Sequence, residues 1–438
     1  MSRTATRVSV QAKLESSLEF EQATSNSSQS VSGALSGRLD GAPVAVRVVD
    51  VDGAADHLDL PVSPSGQEYQ GVVALLRRGG APLCWIALPV SSGGRVSLKD
   101  LPVPESDTAA VDATQPDRGE LEDALFSVVV TTCADAAGVI RCLERLCSSS
   151  TGPFEVIVVE NRPEGSEVER ALRERFAGDH RIRYVEEHRP GLSRARNTGL
   201  RIAQGQIVAF TDDDILTDEG WMAAVRAGFA RDSDVDCVTG LILPVELETT
   251  AQMLVERFAG FGKGLVPRVY SLEAPPADQP LFPYTAGHFG SGANMAFRTE
   301  VIRRLGGFDP ALGTGTPARG GEDLDIYIRL LYAGGRLAYE PRATVWHRHP
   351  DTQARLRSQV FSYGVGLGAM LTKQLARGPE RMAMLGRSPS AFRYLLDPTS
   401  RKNAGKGSHF PRYLDVFERM GLLLGPLAYM RSLRRAHR

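Results

Sequence analysis

The sequence predicts an α/β fold, a Rossmann-type sheet flanked by helices, on three observations. Continuous apolar runs such as Phe126–Thr132 (FSVVVTT) have the texture of strands buried on both faces. They alternate with stretches of helical period, the order of a sheet with crossover helices. Acidic and glycine-rich clusters fall just after these runs, at the edge where such sheets take ligands.

The elements follow in order. Residues 1–36 are polar and Ser/Gln-rich around SNSSQSVSG, which predicts a flexible arm. Residues 37–103 carry β-branched runs between glycines: Val44–Val51, Gly71–Leu76, Leu83–Val90 and Val96–Leu101. They predict a small β-rich domain. No His, Cys or carboxylate cluster converges there, so an interaction or packing role is expected. Residues 104–122 (PESDTAAVDATQPDRGELE) read as a linker. The main domain spans 123–350. After Phe126–Thr132 come a helix at Ala136–Leu146, with Val139, Leu143 and Leu146 at helical spacing, and a strand at Phe154–Val159. A helix at Glu167–Phe176, a strand at Arg181–Val185, a helix near Ser193–Ala203 and a strand at Gln206–Phe210 complete the alternation. Residues 351–438 form a basic, helical C-terminal tail.

Charge is balanced overall, with Lys+Arg 51 against Asp+Glu 52, so no nucleic-acid partner is expected. The balance hides an asymmetry, because the tail from Asp351 carries 16 Lys/Arg and 5 Asp/Glu. A basic tail on an acidic body points to an anionic surface. Its apolar core GLLLGPLAYM, of about 10 residues, is too short to span a bilayer of about 30 Å. Two expectations stand: an interfacial helix with arginines on lipid headgroups, or a helical pair packed on the body. Five cysteines without a CxxC pair predict neither a disulfide framework nor a structural zinc site. With no apolar leader at the N-terminus, the expected location is the cytoplasm, peripheral on the cytoplasmic membrane face if the tail helix is interfacial.

Chemistry concentrates at the strand ends. Asp212, Asp213 and Asp214 sit together, and adjacent carboxylates repel unless a cation joins them. Hard oxygen ligands suit Mn²⁺ or Mg²⁺ shared with substrate phosphates. Glu160-Asn161 ends the second strand, where an acid can hold ribose or a base edge. In RPGLSRARNTGL, Gly191 permits a turn and Ser193 can cap the next helix. Arg194 and Arg196 near that helix's N-terminus would favour an anion such as a diphosphate. Gly313, Gly315, Gly320 and Gly321 bracket a loop able to move as a lid. Glu322-Asp323 then opens a helix, either as capping acids or with Asp323 as a general base. His347 and His349 share one strand face, and a histidine there can complete a metal site.

Taken in register, residues 126–349 resemble the family 2 glycosyltransferases of the GT-A fold. The resemblance rests on a first strand ending in Thr, acid-Asn after the second, G-x-x-x-A-R-N-x-G, DDD, G-x-N-x-x-x-R, GGFD, GED-x-D and a final His. It implies a GT-A-like mixed sheet flanked by helices. It also implies a nucleotide-diphosphate sugar donor (UDP-sugar favoured), bound Mn²⁺ or Mg²⁺, and inverting transfer to an acceptor hydroxyl in glycoconjugate or polysaccharide synthesis. That acceptor would be a glycan, a lipid-linked group or a small molecule. By the same resemblance Thr132, Glu160, Arg196, Asn197, Asp212 and Asp213 bind the donor. Asp214 and His347 hold the metal, and Asp323 is the catalytic base. Two positions depart from the family pattern: Thr131-Thr132-Cys133 replaces Pro-Thr-Tyr, and Glu160 replaces Asp. Two other readings are weaker. A sugar-phosphate nucleotidyltransferase needs a basic Gly-rich loop where this chain has TTCADAAG, and a non-catalytic binding protein would not need Asp212, Asp214 and Asp323 intact.

Overall fold

The computed structural model describes residues 31–35, 41–101, 121–397, 400, 403 and 411–436, apart from single positions within these spans. The arm up to residue 30 and the linker across 104–120 lie outside the described residues.

The β-branched runs of the N-terminal part form a three-stranded sheet. Its order is β1 (Val44–Asp50), β3 (Gly71–Arg78), β4 (Ala81–Pro89), with β1 parallel and β4 antiparallel to β3. Strands β2 (His57–Asp59) and β5 (Arg95–Ser97) make a small antiparallel ladder beside it. Alternation sends Val44, Val46, Val73 and Leu75 to one face, where they meet Trp85 and Leu241, Leu243 and Leu247 of the main domain. Ala45, Val49, Val72, Ala74 and Leu76 face the other way, onto Val96. Both faces are covered, which explains why GVVALL is apolar throughout. Within the span expected to be an arm, Val31–Leu35 form a short helix, α1. Val31, Ala34 and Leu35 share one helical face and bury it in the same cluster.

In the main domain, β6 (Phe126–Thr132), β7 (Phe154–Asn161), β8 (Ile182–Glu187) and β9 (Ile207–Asp212) are parallel, in the order β8-β7-β6-β9. Beyond β9 the sheet becomes mixed. β13 (Met295–Arg298) is antiparallel to β9 and to β11 (Val235–Pro244). β11 runs parallel to β14 (Arg336–His347), which carries β10 (Ile215–Thr217) and β12 (Arg268–Tyr270) antiparallel. α2 (Ala136–Ser149), α3 (Glu167–Arg175) and α5 (Trp221–Phe229) pack on one sheet face through Val139, Leu143, Leu172 and Trp221. α4 (Leu192–Ile202), α7 (Thr299–Arg304) and α8 (Glu322–Tyr332) pack on the other through Ala195, Ile302, Ile326 and Leu330. α6 (Thr250–Ala259) lies outside this pair of layers, against the C-terminal helices. This is the mixed α/β sheet flanked by helices that the resemblance implied.

The tail is helical: α9 (Gln353–Arg377), α10 (Arg381–Gly386), α11 (Ser388–Leu396) and α12 (Arg412–Ala436). α9 and α12 lie parallel at backbone contact, Gly364 and Gly368 of one against Gly421 and Gly425 of the other. Small residues four apart let two helices approach this closely. Among the described residues, no helix is long and apolar enough to cross a membrane.

A Cβ at Gly368 would stand 2.3 Å from the Leu422 carbonyl oxygen, and backbone cannot move aside as a side chain can. Gly368→Val is therefore expected to destabilise the protein by about 1–3 kcal/mol or more. Denaturant unfolding read at a tryptophan and by far-UV circular dichroism checks this. An unchanged midpoint would mean that the helix contact contributes little.

Candidate active site

The four parallel strands end on one side of the sheet at Thr132, Asn161, Glu187 and Asp212. Thr131 Oγ1 donates to Asp212 Oδ1 at 3.0 Å, and Thr132 Oγ1 donates to Asp213 Oδ2 at 2.5 Å. Two adjacent hydroxyls of β6 thus orient the carboxylate that ends β9 and the one that follows it. Burial pushes the Asp213 carboxyl up to about 7, against the pull of Thr132 and with the charges of Asp214 and Asp212 adding to the rise. Burial also raises Asp212, Arg196 opposing it.

Asp214 is the most exposed of the three and pairs with His347, whose Nε2 lies 3.4 Å from Asp214 Oδ2. The pairing of β10 with β14 sets this contact, because Ile215 is in register with His347. Burial alone would lower His347, but the hydrogen bond and charge of Asp214 hold it above its ordinary value. The same bond holds Asp214 low against its burial. His347 Nδ1 is buried without a hydrogen-bond partner, an orphaned polar atom beside the acidic cluster. His349 is also close by, with ring centroids 5.3 Å apart, but its Nε2 meets Glu256 Oε1 at 2.5 Å. The phenyl ring of Phe261 touches both imidazoles, at 5.2 and 5.6 Å between centroids.

No three acidic or histidine side chains among the described residues close into a metal cage. The open set of Asp212, Asp214 and His347 suits a hard cation of the kind bound by one or two carboxylates and completed by substrate phosphates. Those residues, with the orphaned imidazole nitrogen, fit Mn²⁺ or Mg²⁺.

Arg196 is the hub of the site and is 1% exposed. Its Nη1 donates to Glu322 Oε1 at 2.9 Å, and its Nη2 reaches Gly292 O at 3.0 Å and Asp212 Oδ1 at 3.3 Å. Burial works against its charge, yet Asp212 and Glu322 outweigh it and raise Arg196. Burial and the charge of Asp323 push Glu322 up to about 7, against the pull of Arg196. Asp323, next in chain, is partly exposed, and its Oδ2 accepts from the Gly292 amide at 2.9 Å. Lys263, on the loop after α6, is lowered to about 8 by burial, with Glu256 and Asp323 opposing.

Several expected roles change. Arg196 does not turn its Nη atoms to a bound anion, because Glu322, Asp212 and the Gly292 carbonyl hold both, while its Nε is buried without a partner. Arg194 Nη2 turns to the Ala436 carbonyl at 3.3 Å. Ser193 does not cap α4. Gly191 holds the cap position, and Ser193 Oγ donates to Leu312 O at 2.8 Å. Asn197 spends both polar atoms on the Phe308 backbone, so it fixes the GGFD turn. Glu160 is buried and accepts from Tyr184 Oη at 2.6 Å. The glycine-rich loop is tied down rather than poised as a lid. Its Thr314 O accepts from Leu192 N at 2.9 Å, and Ala311, Leu312 and Ala318 are buried against Ala369 and Tyr429. Cys133 is exposed at the end of β6, where the family pattern has an aromatic. Glu322, Glu256, Phe261 and Lys263 are site residues that sequence reading missed. Only Glu322 carried a signal, in its place beside Asp323.

The site is thus an open acidic cluster at a parallel-strand edge, with a second carboxylate pair facing it across a buried arginine. Residues 127–306 match the model of Glycosyl transferase family 2. The main domain is a family 2 glycosyltransferase domain. Over 315 residues the chain is 30% identical to the pre-mycofactocin glycosyltransferase of Mycobacterium tuberculosis, covering 69% of this chain and 60% of that protein. It thus spans about 60% of that relative's length. It is 22% identical over 218 residues to the glucosyl-dolichyl phosphate glucuronosyltransferase of Haloferax volcanii, covering 47% of this chain and 63% of that one. Among solved structures, a mannosyltransferase from Pyrobaculum calidifontis in complex with GDP-Man and Mn²⁺ aligns at TM-score 0.44 and 19% identity, over 72% of this chain and 87% of that chain.

Asp325 lies one face away from Asp323 and is fully buried. It accepts from Arg329 at 2.8 Å, Lys373 at 2.7 Å and Gln374 at 3.0 Å, and so ties α8 to α9. This geometry makes Asp325 a structural residue. Asp325→Asn is expected to cost about 3 kcal/mol, the scale of breaking a buried ion pair. Urea unfolding measures it, and an unperturbed midpoint would show that Asp309 alone can hold Lys373.

Proposed function

We propose that this chain is a metal-dependent, inverting glycosyltransferase that moves a sugar from a nucleotide diphosphate, UDP favoured, to an acceptor hydroxyl. One observation carries the reading. A single buried guanidinium, Arg196, spans Asp212 at the cation edge and Glu322 beside Asp323. The metal carboxylates and the base are thereby held at a fixed separation. The glycosyltransferase names of the relatives support the reading.

Asp214 and His347, with Asp212 behind them, would hold the cation. A divalent ion bound there supplies charge for the departing diphosphate. Thr131 and Thr132 keep Asp212 and Asp213 aimed at the strand edge. Asp323 takes the acceptor proton as the acceptor oxygen bonds to the anomeric carbon and the bond to the diphosphate breaks. One base and no covalent nucleophile give inversion, by analogy with inverting hydrolysis. The Gly292 amide holds Asp323 Oδ2 and the Leu324 amide holds Oδ1, which fixes the orientation of the carboxylate. A thermal-shift screen of nucleotide sugars with Mn²⁺ identifies the donor.

Asp214→Ala is expected to abolish metal-dependent donor binding and turnover, and chelator should do the same to the native chain. Full turnover in excess chelator would remove the metal from the mechanism. Asp323→Asn keeps the shape but cannot take a proton, so the transfer rate should fall roughly 10²–10⁴-fold. The donor dissociation constant should stay near the native value. Isothermal titration and a rate assay separate the outcomes: a near-native rate excludes Asp323 as base, and an equal loss of donor binding makes it a binding residue.

A further inference from the structure

Among the described residues, ten of the fourteen exposed large apolar side chains lie between Leu375 and Met430. Six of them form a stripe on α12: Val416, Met420, Leu423, Leu424, Leu427 and Met430, with Leu423 80% exposed. Their spacing of three and four residues keeps them on one side of the helix. The opposite side is committed, since Gly421 and Gly425 press on α9 while Leu414 and Tyr429 are buried. The stripe is therefore the outward face of a helix already fixed to the body. It is not a loose tail whose apolar residues are waiting to fold.

The exposed charges of α12 are all cations: Arg412, Arg419, Arg431, Arg434 and Arg435. Asp415 and Glu418 sit at the helix flanks, partly buried. The parallel register that places Gly368 on Gly425 brings the end of α9 level with Arg434. α10 begins there and adds exposed Met382 and Leu385 between Arg381 and Arg387. Apolar side chains framed by arginines on a helix too polar to span are the attributes of a face lying in a lipid interface. Self-association fits less well. Two copies meeting along the stripe in either direction would set arginines against arginines, with no exposed carboxylate on the helix to receive them.

We propose that the outer face of α12 docks on an anionic bilayer surface. Leucines and methionines enter the headgroup boundary while the arginines meet lipid phosphates. The site's acidic cluster and the docking face then belong to one rigid body, because α9 lies between α12 and the Gly320–Gly321 turn that opens α8. Docking does not depend on the glycosyl-transfer reading.

Flotation of the full chain with vesicles of 30% phosphatidylglycerol in phosphatidylcholine, against pure phosphatidylcholine, tests the proposal. Binding is expected to the anionic vesicles and to weaken with salt. Leu423→Asp with Leu427→Asp should lose it at least tenfold, while the thermal midpoint stays near the native value because both side chains are exposed. Reversing Arg431, Arg434 and Arg435 to Glu should weaken it by roughly 100-fold or more, at about 1 kcal/mol per basic residue near such a surface. Equal flotation of the native chain and the double Asp variant would overturn the proposal. So would an absence of vesicle binding together with a native dimer that the double variant converts to monomer, which would assign the stripe to a second copy.

Discussion

A guanidinium removed from water must find anions or carbonyls, and at Arg196 that requirement organises the site. Its partners come from three places distant in sequence: Asp212 on β9, Gly292 before β13, and Glu322 at the start of α8. A charge buried this deeply is costly unless every partner is in place. The ends of β9 and α8 are therefore not independent. Gly292 is part of the same constraint, because a Cβ there would stand 3.0 Å from Arg196 Nη1 and 3.1 Å from Asp323 Cβ. The glycine of the G-x-N motif is thus a packing requirement of the arginine and of the carboxylate beside it, while its Asn294 bonds Trp221 and the Leu241 and Ala343 carbonyls.

A second constraint binds the C-terminal helices to the same region. Lys373 of α9 lies 2.7 Å from Asp325 and 2.8 Å from Asp309, joining the GGFD turn to α8. Gly366 on the same helix touches the Gly320–Gly321 backbone, so α9 seals the loop that the glycine count alone marked as mobile. Many glycines in one loop permit motion, but they equally permit close backbone approach, and here they serve approach.

What was legible in the sequence was local. FSVVVTT is buried from end to end, so its texture alone announced a central strand, and Asp212–Asp214 follow a strand as expected. The mixed half of the sheet was not legible. β11, β13 and β14 take their order from pairings across up to about a hundred residues, which no local period encodes. The same holds for Arg196, whose motif was readable but whose direction was not. From spacing it sits at a helix start, where an anion would be favoured. Only the fold shows that protein carboxylates already occupy that side. Lys263 and Glu256 gave no signal at all, because their proximity to Asp323 and His349 depends on how the loop after α6 returns to the sheet.

The N-terminal sheet can be placed by the same reasoning. β11 carries Leu241 and Leu243 to the face it covers, and Leu247 follows three residues after that strand. Fully burying each such leucine is worth about 1.5–3 kcal/mol, so the main domain alone would leave a costly apolar face in water. Polar contacts fix the orientation: Arg77 pairs with Asp218 at 2.7 Å, Tyr69 Oη donates to Glu248 at 2.9 Å, and Val44 N donates to Leu247 O at 2.9 Å. The covered segment is also the one that holds the site's histidine. Pro244 is in register with His347, and the Val245 amide donates to the His347 carbonyl at 3.0 Å. The N-terminal sheet thus packs on the strand end that sets His347 beside Asp214.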